Sequence, residues 1–109
     1  DKKRRELDFY PTPTEVTFAL MGFLKLEPCR IWECACGIGS MSEALKAQGH
    51  KVFSSDIAET GYGNPNTDFL QSELTCDAII TNPPFAQSEA FIRHALTQAP
   101  IVAMVLKSQ

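Results

Sequence analysis

The segment Asp77-Ala-Ile-Ile-Thr-Asn-Pro-Pro-Phe85 contains the residues best suited to chemistry in this chain. Pro83 and Pro84 carry no amide hydrogen, so the bend after the apolar run offers carbonyl oxygens and few donors, and the proline rings restrict its φ angles. Asn82 adds a side-chain carbonyl. Two acceptors can hold both hydrogens of one planar amino group, and Phe85 supplies an apolar face for a flat ring.

A rigid pair of acceptors suits methylation of an exocyclic amine. The lone pair of such a nitrogen is delocalised into its ring, and acceptors on its hydrogens favour a pyramidal nitrogen whose lone pair points at an electrophile. Positioning carries much of the rate, and the proton can leave after the transfer. The alternative is that Asn-Pro-Pro only ends a strand and that Phe85 belongs to the core.

A second group of residues, Glu33-Cys-Ala-Cys-Gly-Ile-Gly39, lies between a predicted strand and a predicted helix, which is the context of a nucleotide-binding glycine loop. Asp56 ends the next predicted strand, 17 residues after Gly39, at a spacing suited to a carboxylate that binds ribose hydroxyls. Gly-x-Gly alone is also what a plain tight turn would show. Together the loop and the acid favour an adenosine ligand.

The charge near this loop distinguishes between adenosine ligands. A dinucleotide would normally require a third glycine where Ser42 stands. Glu33 would repel a pyrophosphate, whereas it suits a ligand that carries an ammonium or sulfonium group. These residues favour S-adenosylmethionine over a dinucleotide.

The elements that position these residues alternate between helix and strand. Thr12-Pro-Thr-Glu15 has the pattern of a capping box with Thr12 as N-cap, which predicts a helix to about Lys25. Its predicted buried face comprises Val16, Ala19, Leu20, Phe23 and Leu24. Strands are predicted at 30–34, 51–54, 78–81 and 101–106, and helices at 41–48 (with Ser40 as N-cap) and 88–99. A short extended piece near Asp68 and Phe69 is a further candidate to join the sheet.

Alternation of this kind, with strands apolar on both faces, predicts a three-layer α/β fold of the Rossmann-like type with a mostly parallel sheet. Ligands of such sheets bind at the carboxyl ends of the strands. At 109 residues with 44% hydrophobic content, the chain is expected to form one domain, 1–109, with a basic tail at 1–7. The tail is either solvated or a phosphate contact.

Composition bounds the remaining possibilities. The net charge of −3 gives no global attraction to nucleic acid. The sequence shows no membrane-spanning run and no signal segment, so we expect a cytoplasmic protein without a membrane partner. The four cysteines, Cys29, Cys34, Cys36 and Cys76, form no C-x-x-C pair, so we expect reduced thiols and no metal.

The chain resembles the cofactor-binding half of amino-group adenine DNA methyltransferases over nearly its whole length. The resemblance is carried by Asp8-Phe-Tyr-Pro-Thr-Pro13, Glu33 to Gly39, Asp56, Thr67-Asp-Phe69 and Asn82 to Phe85, with Phe in place of the commoner Tyr. The order of these segments fits one permutation class of that family. The family continues beyond the last predicted strand, which would otherwise be an exposed sheet edge. We therefore expect a homo-oligomer, a partner segment or a longer parent chain.

The resemblance implies an enzyme that transfers a methyl group from S-adenosylmethionine to the amino group of adenine in DNA, with the base rotated out of the helix. The implied catalytic residues are Asn82, Pro83, Pro84 and Phe85. The implied cofactor-binding residues are Phe9, Tyr10, Pro11, Thr12, Glu33, Cys34, Ala35, Cys36, Gly37, Gly39, Asp56, Ile57, Asp68, Phe69 and Asn82. The tetrapeptide also occurs in enzymes that methylate guanine amino groups in ribosomal RNA or glutamine amides in proteins. A non-catalytic module that binds S-adenosylmethionine is a further alternative.

Overall fold

The computed structural model describes residues 11–106, so the predictions for Phe9, Tyr10 and the basic tail at 1–7 lie outside the described residues. The strands are β1 (Arg30–Glu33), β2 (Lys51–Ser54), β3 (Ala78–Thr81) and β4 (Ile101–Met104). The α-helices of this part of the chain are α1 (Thr14–Leu24), α2 (Ser40–Ala47) and α3 (Ser88–Gln98). Two short 3-10 helices cover Phe69–Gln71 and Phe85–Gln87.

The four strands form one parallel sheet in the order β2-β1-β3-β4. Ile31 of β1 pairs with Val52 of β2 on one side and with Ala78 of β3 on the other. The chain leaves β1 toward β2 and then returns to the opposite side of β1 for β3, so the strand order reverses between β1 and β3. This is the topological switch point at which α/β sheets of this kind bind ligands.

Helices cover both faces of the sheet, which confirms the predicted three-layer α/β fold. On one face, Met21 of α1 and Met41 and Leu45 of α2 pack against Ile31 and Ile80. The opposite face carries a second buried cluster that includes Trp32, Phe69, Ile79, Phe91 and Ala95. Successive side chains of a strand point to opposite faces, which explains why both faces of β1 and β3 are apolar.

The first helix begins and packs differently from the prediction. Its N-cap is Pro13, without a side-chain capping bond, so the predicted capping box from Thr12 is wrong. The residues of α1 that are buried are Thr17 and Met21, whereas Phe23 is 83% exposed. Leu20 and Leu24 of the predicted face pack against the core, whereas Val16, Ala19 and Phe23 are exposed. The predicted face is therefore confirmed only in part, because apolar residues surround α1 and their spacing alone does not select one side.

Three further local predictions are corrected by the structure. Gly39, with φ +92°, takes the N-cap position of α2, and Ser40 is the first helical residue. The piece near Asp68 and Phe69 lies outside the sheet: Asp68 caps a 3-10 helix by accepting a hydrogen bond from the amide of Leu70. Strands β1 and β4 end at Glu33 and Met104, before the predicted ends.

The two outer strands differ in their surroundings. Beside β2, the loop between β2 and β3 runs back along the sheet, and Asn64 forms a parallel bridge with Ser55. Strand β4 lies at the other edge with all four of its residues half-buried, and its cover by another segment or copy remains a prediction. Within residues 11–106, no helix has the length and apolar character needed to cross a membrane.

Candidate active site

The carboxyl ends of β1 and β3 bring Glu33 and Thr81 together. The Thr81 hydroxyl donates a 2.6 Å hydrogen bond to Oε2 of Glu33, and the amide of Ala35 donates to the same oxygen at 3.1 Å. Glu33 is only 2% exposed. Burial raises the pKa of Glu33 to about 7, against the lowering effect of the two hydrogen bonds and with a smaller raising effect from the charge of Asp56.

Asp56 connects the end of β2 to the glycine loop. Its Oδ2 accepts a 2.9 Å hydrogen bond from the amide of Gly37, and its Oδ1 accepts one of 2.9 Å from the amide of Ala58. The residue is buried. Each carboxylate oxygen can accept more than one hydrogen bond, so Asp56 both holds the loop and retains lone pairs for hydroxyl donors of a ligand.

A small cavity opens between the glycine loop and the start of α1. Among the predicted site residues, those that line it are Pro11, Thr12, Glu33, Ala35, Cys36, Gly37 and Asn82. The lining of this cavity therefore includes the buried carboxyl group of Glu33 and the side-chain amide of Asn82.

A second small cavity is also bordered by the loop that follows β1. The predicted residues that line it are Cys34, Ala35, Asp56, Ile57, Asp68, Phe69 and Pro84. Ala35 borders both cavities, and the two cavities together are termed the groove. The groove is lined by residues as far apart in the sequence as Thr12 and Asn82, which are 70 positions apart.

The Asn-Pro-Pro-Phe segment presents acceptors toward this groove. Nδ2 of Asn82 donates a 2.9 Å hydrogen bond to Oγ1 of Thr12. The carbonyl of Pro84 accepts from the amide of Gln87 at 2.9 Å, whereas within residues 11–106 no backbone amide donates to the carbonyl of Pro83. The side-chain oxygen of Asn82 and the carbonyl of Pro83 are the two other acceptors of this segment that suit a planar amino group.

The remaining members of the segment differ in exposure. Pro83 is buried, Pro84 is half-buried, and Phe85 is 42% exposed. Phe85 therefore lies at the surface and is not a core residue, contrary to that part of the alternative interpretation. Its exposure is compatible with a stacking face.

The two glycines of the loop have different surroundings. Gly37 has φ +53° and lines the first cavity. A Cβ atom added to Gly37 would have no other atom within 4 Å. Gly39 lies outside both cavities, and a Cβ there would come within 2.5 Å of the Tyr62 ring. The absence of a side chain at Gly39 therefore accommodates Tyr62, whose hydroxyl also contacts Glu43 and Lys46 of α2.

The cysteines are separate thiols. Cys34, Cys36 and Cys76 are buried and Cys29 is half-buried, and all four are free. Burial raises the pKa of Cys36 to about 12 and also raises the pKa of Cys34. No cluster of His, Cys, Asp and Glu suited to a metal ion occurs within residues 11–106.

Several residues of the groove are missing from the sequence-based prediction. Thr81 lines neither cavity, but it binds Glu33 and directly precedes Asn82. The additional lining residues are Ile38, Ser40 and Met41 in the first cavity and Thr67, Gln87 and Phe91 in the second. All of these residues except Phe91 lie within two positions of a predicted site residue. Their nearness in the sequence to predicted residues was therefore the only signal that could have identified them as lining residues.

The fold is shared with solved methyltransferase structures. PH1948 from Pyrococcus horikoshii, a provisionally assigned RNA methyltransferase, matches with a TM-score of 0.73 and 17% identity over 88% of this chain and 57% of its own. Magnesium protoporphyrin IX methyltransferase (ChlM) from Synechocystis PCC 6803 with bound SAM matches with a TM-score of 0.64 and 21% identity, over 82% and 57% of the two chains. The same enzyme with bound SAH matches at 20% identity over 92% of this chain and 64% of its own, with a TM-score of 0.64.

These similarities establish a Rossmann-like fold of the type found in methyltransferases. The chain spans 57% of the length of PH1948 and 57 to 64% of the two ChlM chains. No protein-family profile and no curated protein sequence matches the chain.

Proposed function

We propose that this chain is the catalytic part of a methyltransferase that uses S-adenosylmethionine to methylate the exocyclic amino group of adenine in DNA. One observation carries the proposal. Asn82, the first residue of the Asn-Pro-Pro-Phe segment, lines the same cavity as the buried Glu33, and Pro84 of that segment lines the cavity that contains Asp56, at the switch point of a methyltransferase-type sheet. ChlM, which shares this fold, was solved with bound SAM.

The residues of the groove fit this cofactor. Gly37 leaves open space beside the loop, so a ligand can approach the backbone there. Glu33 offers a carboxylate to a cationic group, and the lone pairs of Asp56 are suited to ribose hydroxyls. We place the methionine part in the cavity that contains Glu33 and the adenosine part in the cavity that contains Asp56 and Asp68.

When bound, the cofactor supplies a methyl group on a positively charged sulfur. The chain's own residues prepare the acceptor nitrogen. Oδ1 of Asn82 and the carbonyl of Pro83 each accept one hydrogen of the amino group, which directs the nitrogen lone pair away from the conjugated ring. Transfer forms the nitrogen–carbon bond, breaks the carbon–sulfur bond and leaves a neutral thioether. The extra proton on nitrogen then passes to solvent.

Phe85 gives the substrate ring a surface on which to rest. A base that is rotated out of a helix loses its stacking neighbours, and an aromatic side chain replaces part of that loss, worth about 1–3 kcal/mol. The choice of adenine in DNA is supported by the resemblance of residues 8–13 and of the tetrapeptide to adenine DNA methyltransferases.

Three other functions remain candidates. Similarity to PH1948 favours an RNA amino group as the alternative acceptor, and the same pair of acceptors also suits a glutamine amide of a protein. The third candidate is a module that binds the cofactor without turnover. These functions differ in whether a methyl group is transferred and to which acceptor, so one transfer assay separates them.

Calorimetric titration of the full chain with S-adenosylmethionine tests the cofactor site. We expect Asp56→Ala to abolish binding and Glu33→Gln to weaken it, with Glu27→Gln, an exposed carboxylate outside both cavities, as the matched control. Far-UV circular dichroism checks that each variant is folded. Equal binding by wild type and Asp56→Ala would contradict the assignment of the adenosine cavity.

Transfer of a tritiated methyl group then identifies the acceptor. Wild-type chain is incubated with denatured DNA, RNA or unfolded protein, and the labelled product is hydrolysed and separated. N6-methyladenine from DNA supports the proposal, and Asn82→Ala should remove it. Label in guanine or glutamine would support the alternative acceptors, and cofactor binding without any label would indicate the non-catalytic module.

A further inference from the structure

We propose that Thr12 is a positioning residue for Asn82, and that its hydroxyl holds the amide with Oδ1 presented to the incoming amino group. The inference deepens the proposed function and rests on it for its catalytic consequence. Its structural part, the restraint of the amide by Thr12, is independent of any substrate.

The contact joins two distant parts of the chain at the groove. Nδ2 of Asn82 lies 2.9 Å from Oγ1 of Thr12, across 70 residues of sequence. Thr12 is 7% exposed, Asn82 is half-buried, and both line the first cavity. A hydrogen bond in such a place is shielded from competing water, so it restrains the amide more than an exposed bond would.

An asparagine needs this restraint because the two ends of its amide have opposite hydrogen-bonding roles. The oxygen accepts and the nitrogen donates, yet the two ends are similar in size. If the amide of Asn82 turned over, its own NH2 would face the hydrogens of the substrate amino group, and two donors would oppose each other. In the structure the nitrogen is bound to Thr12, so the oxygen is the end that faces away from Thr12.

The backbone around Thr12 is suited to holding the hydroxyl still. Pro11 and Pro13 flank Thr12, and a residue before proline is confined to extended conformations. The carbonyl of Pro13 accepts a 3.0 Å hydrogen bond from the amide of Val16, which ties this segment to the first turn of α1. The Thr12 hydroxyl does not cap α1, which has no side-chain capping bond. It accepts the hydrogen bond from Asn82 instead.

The test compares Thr12→Val, which keeps the shape but removes the acceptor, with Thr12→Ser, which keeps the hydroxyl. Thr14→Val is the matched control, since Thr14 is exposed on the same segment and lines neither cavity. The first readout is the pair of side-chain amide NMR signals of Asn82 in the full chain without cofactor or nucleic acid. These signals are assigned by their loss in Asn82→Asp.

We expect Thr12→Val to shift both signals and to speed their exchange with solvent, whereas Thr12→Ser and Thr14→Val leave them in place. Thr12→Ala replaces Thr12→Val if circular dichroism shows that the valine variant is unfolded. Unchanged Asn82 signals in a folded variant without the hydroxyl would overturn the inference.

The second readout is single-turnover methyl transfer at saturating S-adenosylmethionine, with denatured DNA as the probe substrate. Loss of one restraining hydrogen bond should slow transfer about tenfold in Thr12→Val, with KM for DNA changed less than kcat. Thr12→Ser should restore the rate to within about threefold. A wild-type rate in Thr12→Val, or an effect only on cofactor affinity, would overturn the catalytic role. Failure of the proposed function appears differently, as no transfer by the wild-type chain, and the NMR comparison still decides whether Thr12 restrains Asn82.

Discussion

Oε2 of Glu33 accepts a 2.6 Å hydrogen bond from the hydroxyl of Thr81, and this bond joins the carboxyl ends of two neighbouring strands at the floor of the groove. Thr81 directly precedes Asn82, so the bond ties the carboxyl group of the first cavity to the backbone of the acceptor segment. The protonation of Glu33 should therefore affect both the stability of the chain and the binding of a cation in that cavity.

The first prediction concerns stability and pH. The native pKa of Glu33, about 7, lies above the ordinary value of 4.5, so the native state holds a proton that the unfolded state has lost between these two values. The free energy of unfolding should fall as pH rises through this range, and the loss should stay constant above it. Glu33→Gln lacks this penalty, so its stability advantage should grow on the order of 3 kcal/mol between pH 4.5 and 8. Urea unfolding at the two pH values measures this, and an equal difference at both would contradict the prediction.

The second prediction concerns cofactor binding and pH, and it rests on the proposed function. S-adenosylmethionine keeps its sulfonium charge throughout the range, whereas Glu33 becomes charged as pH rises past about 7. The affinity of the wild-type chain should therefore increase between pH 6 and pH 8. Calorimetric titration of Glu33→Gln should show weaker binding with a flatter pH dependence, while Glu27→Gln should follow the wild type.

The third prediction isolates the hydroxyl of Thr81. Its hydrogen bond lowers the pKa of Glu33, so Thr81→Val should raise that pKa further. The pH midpoint for S-adenosylmethionine binding should then move upward, and Thr81→Ser, which keeps the hydroxyl, should retain the wild-type midpoint. Titrations across a pH series provide the measurement, and a midpoint unchanged in a folded Thr81→Val would argue against control of Glu33 by this bond.

The fourth prediction compares two glycines. In Gly39→Ala the new methyl group would meet the Tyr62 ring at 2.5 Å and sit on a backbone with φ +92°. We expect a loss of about 2 kcal/mol or more in the free energy of unfolding, from left-handed strain and overpacking together. Gly22→Ala is the matched control, because Gly22 lies inside α1 with no atom within 4 Å of the new methyl group. It should gain about 0.5–1 kcal/mol. Thermal unfolding measures both, and similar changes would refute the proposed packing role of Gly39.

The fifth prediction concerns a buried hydroxyl. Oγ1 of Thr17 is fully buried and has no hydrogen-bond partner among residues 11–106. Thr17→Val keeps the branched shape and removes this unsatisfied group, so the free energy of unfolding should rise by about 1 kcal/mol. Thr14→Val, at an exposed position of the same helix, should change it by less than about 0.5 kcal/mol. Destabilisation of Thr17→Val in urea would show that the hydroxyl has a partner in solution.

Much of the fold could be predicted because its signals are local. The bounds of β2 and β3 agree with the predicted strands, since short apolar runs between turn residues are typical of buried parallel strands. The face of α1 could be predicted only in part, because this helix has apolar residues all around its surface. Asp68 is extended as predicted, but the piece does not join the sheet, because the Asp68 side chain binds the amide of Leu70 and a 3-10 helix begins at Phe69.

The candidate site divides in the same way. The sequence by itself determined the types of group present: the acceptors of Asn82 and Pro83, the loop around Gly37 and the carboxylates of Glu33 and Asp56. Only the tertiary structure decided their partners, because hydrogen bonds between side chains depend on which strands are neighbours in the sheet. It placed Thr12 against Asn82, away from the helix end that its local sequence pattern predicts. A capping pattern is a local signal, and a partly buried bond across 70 residues prevailed over it.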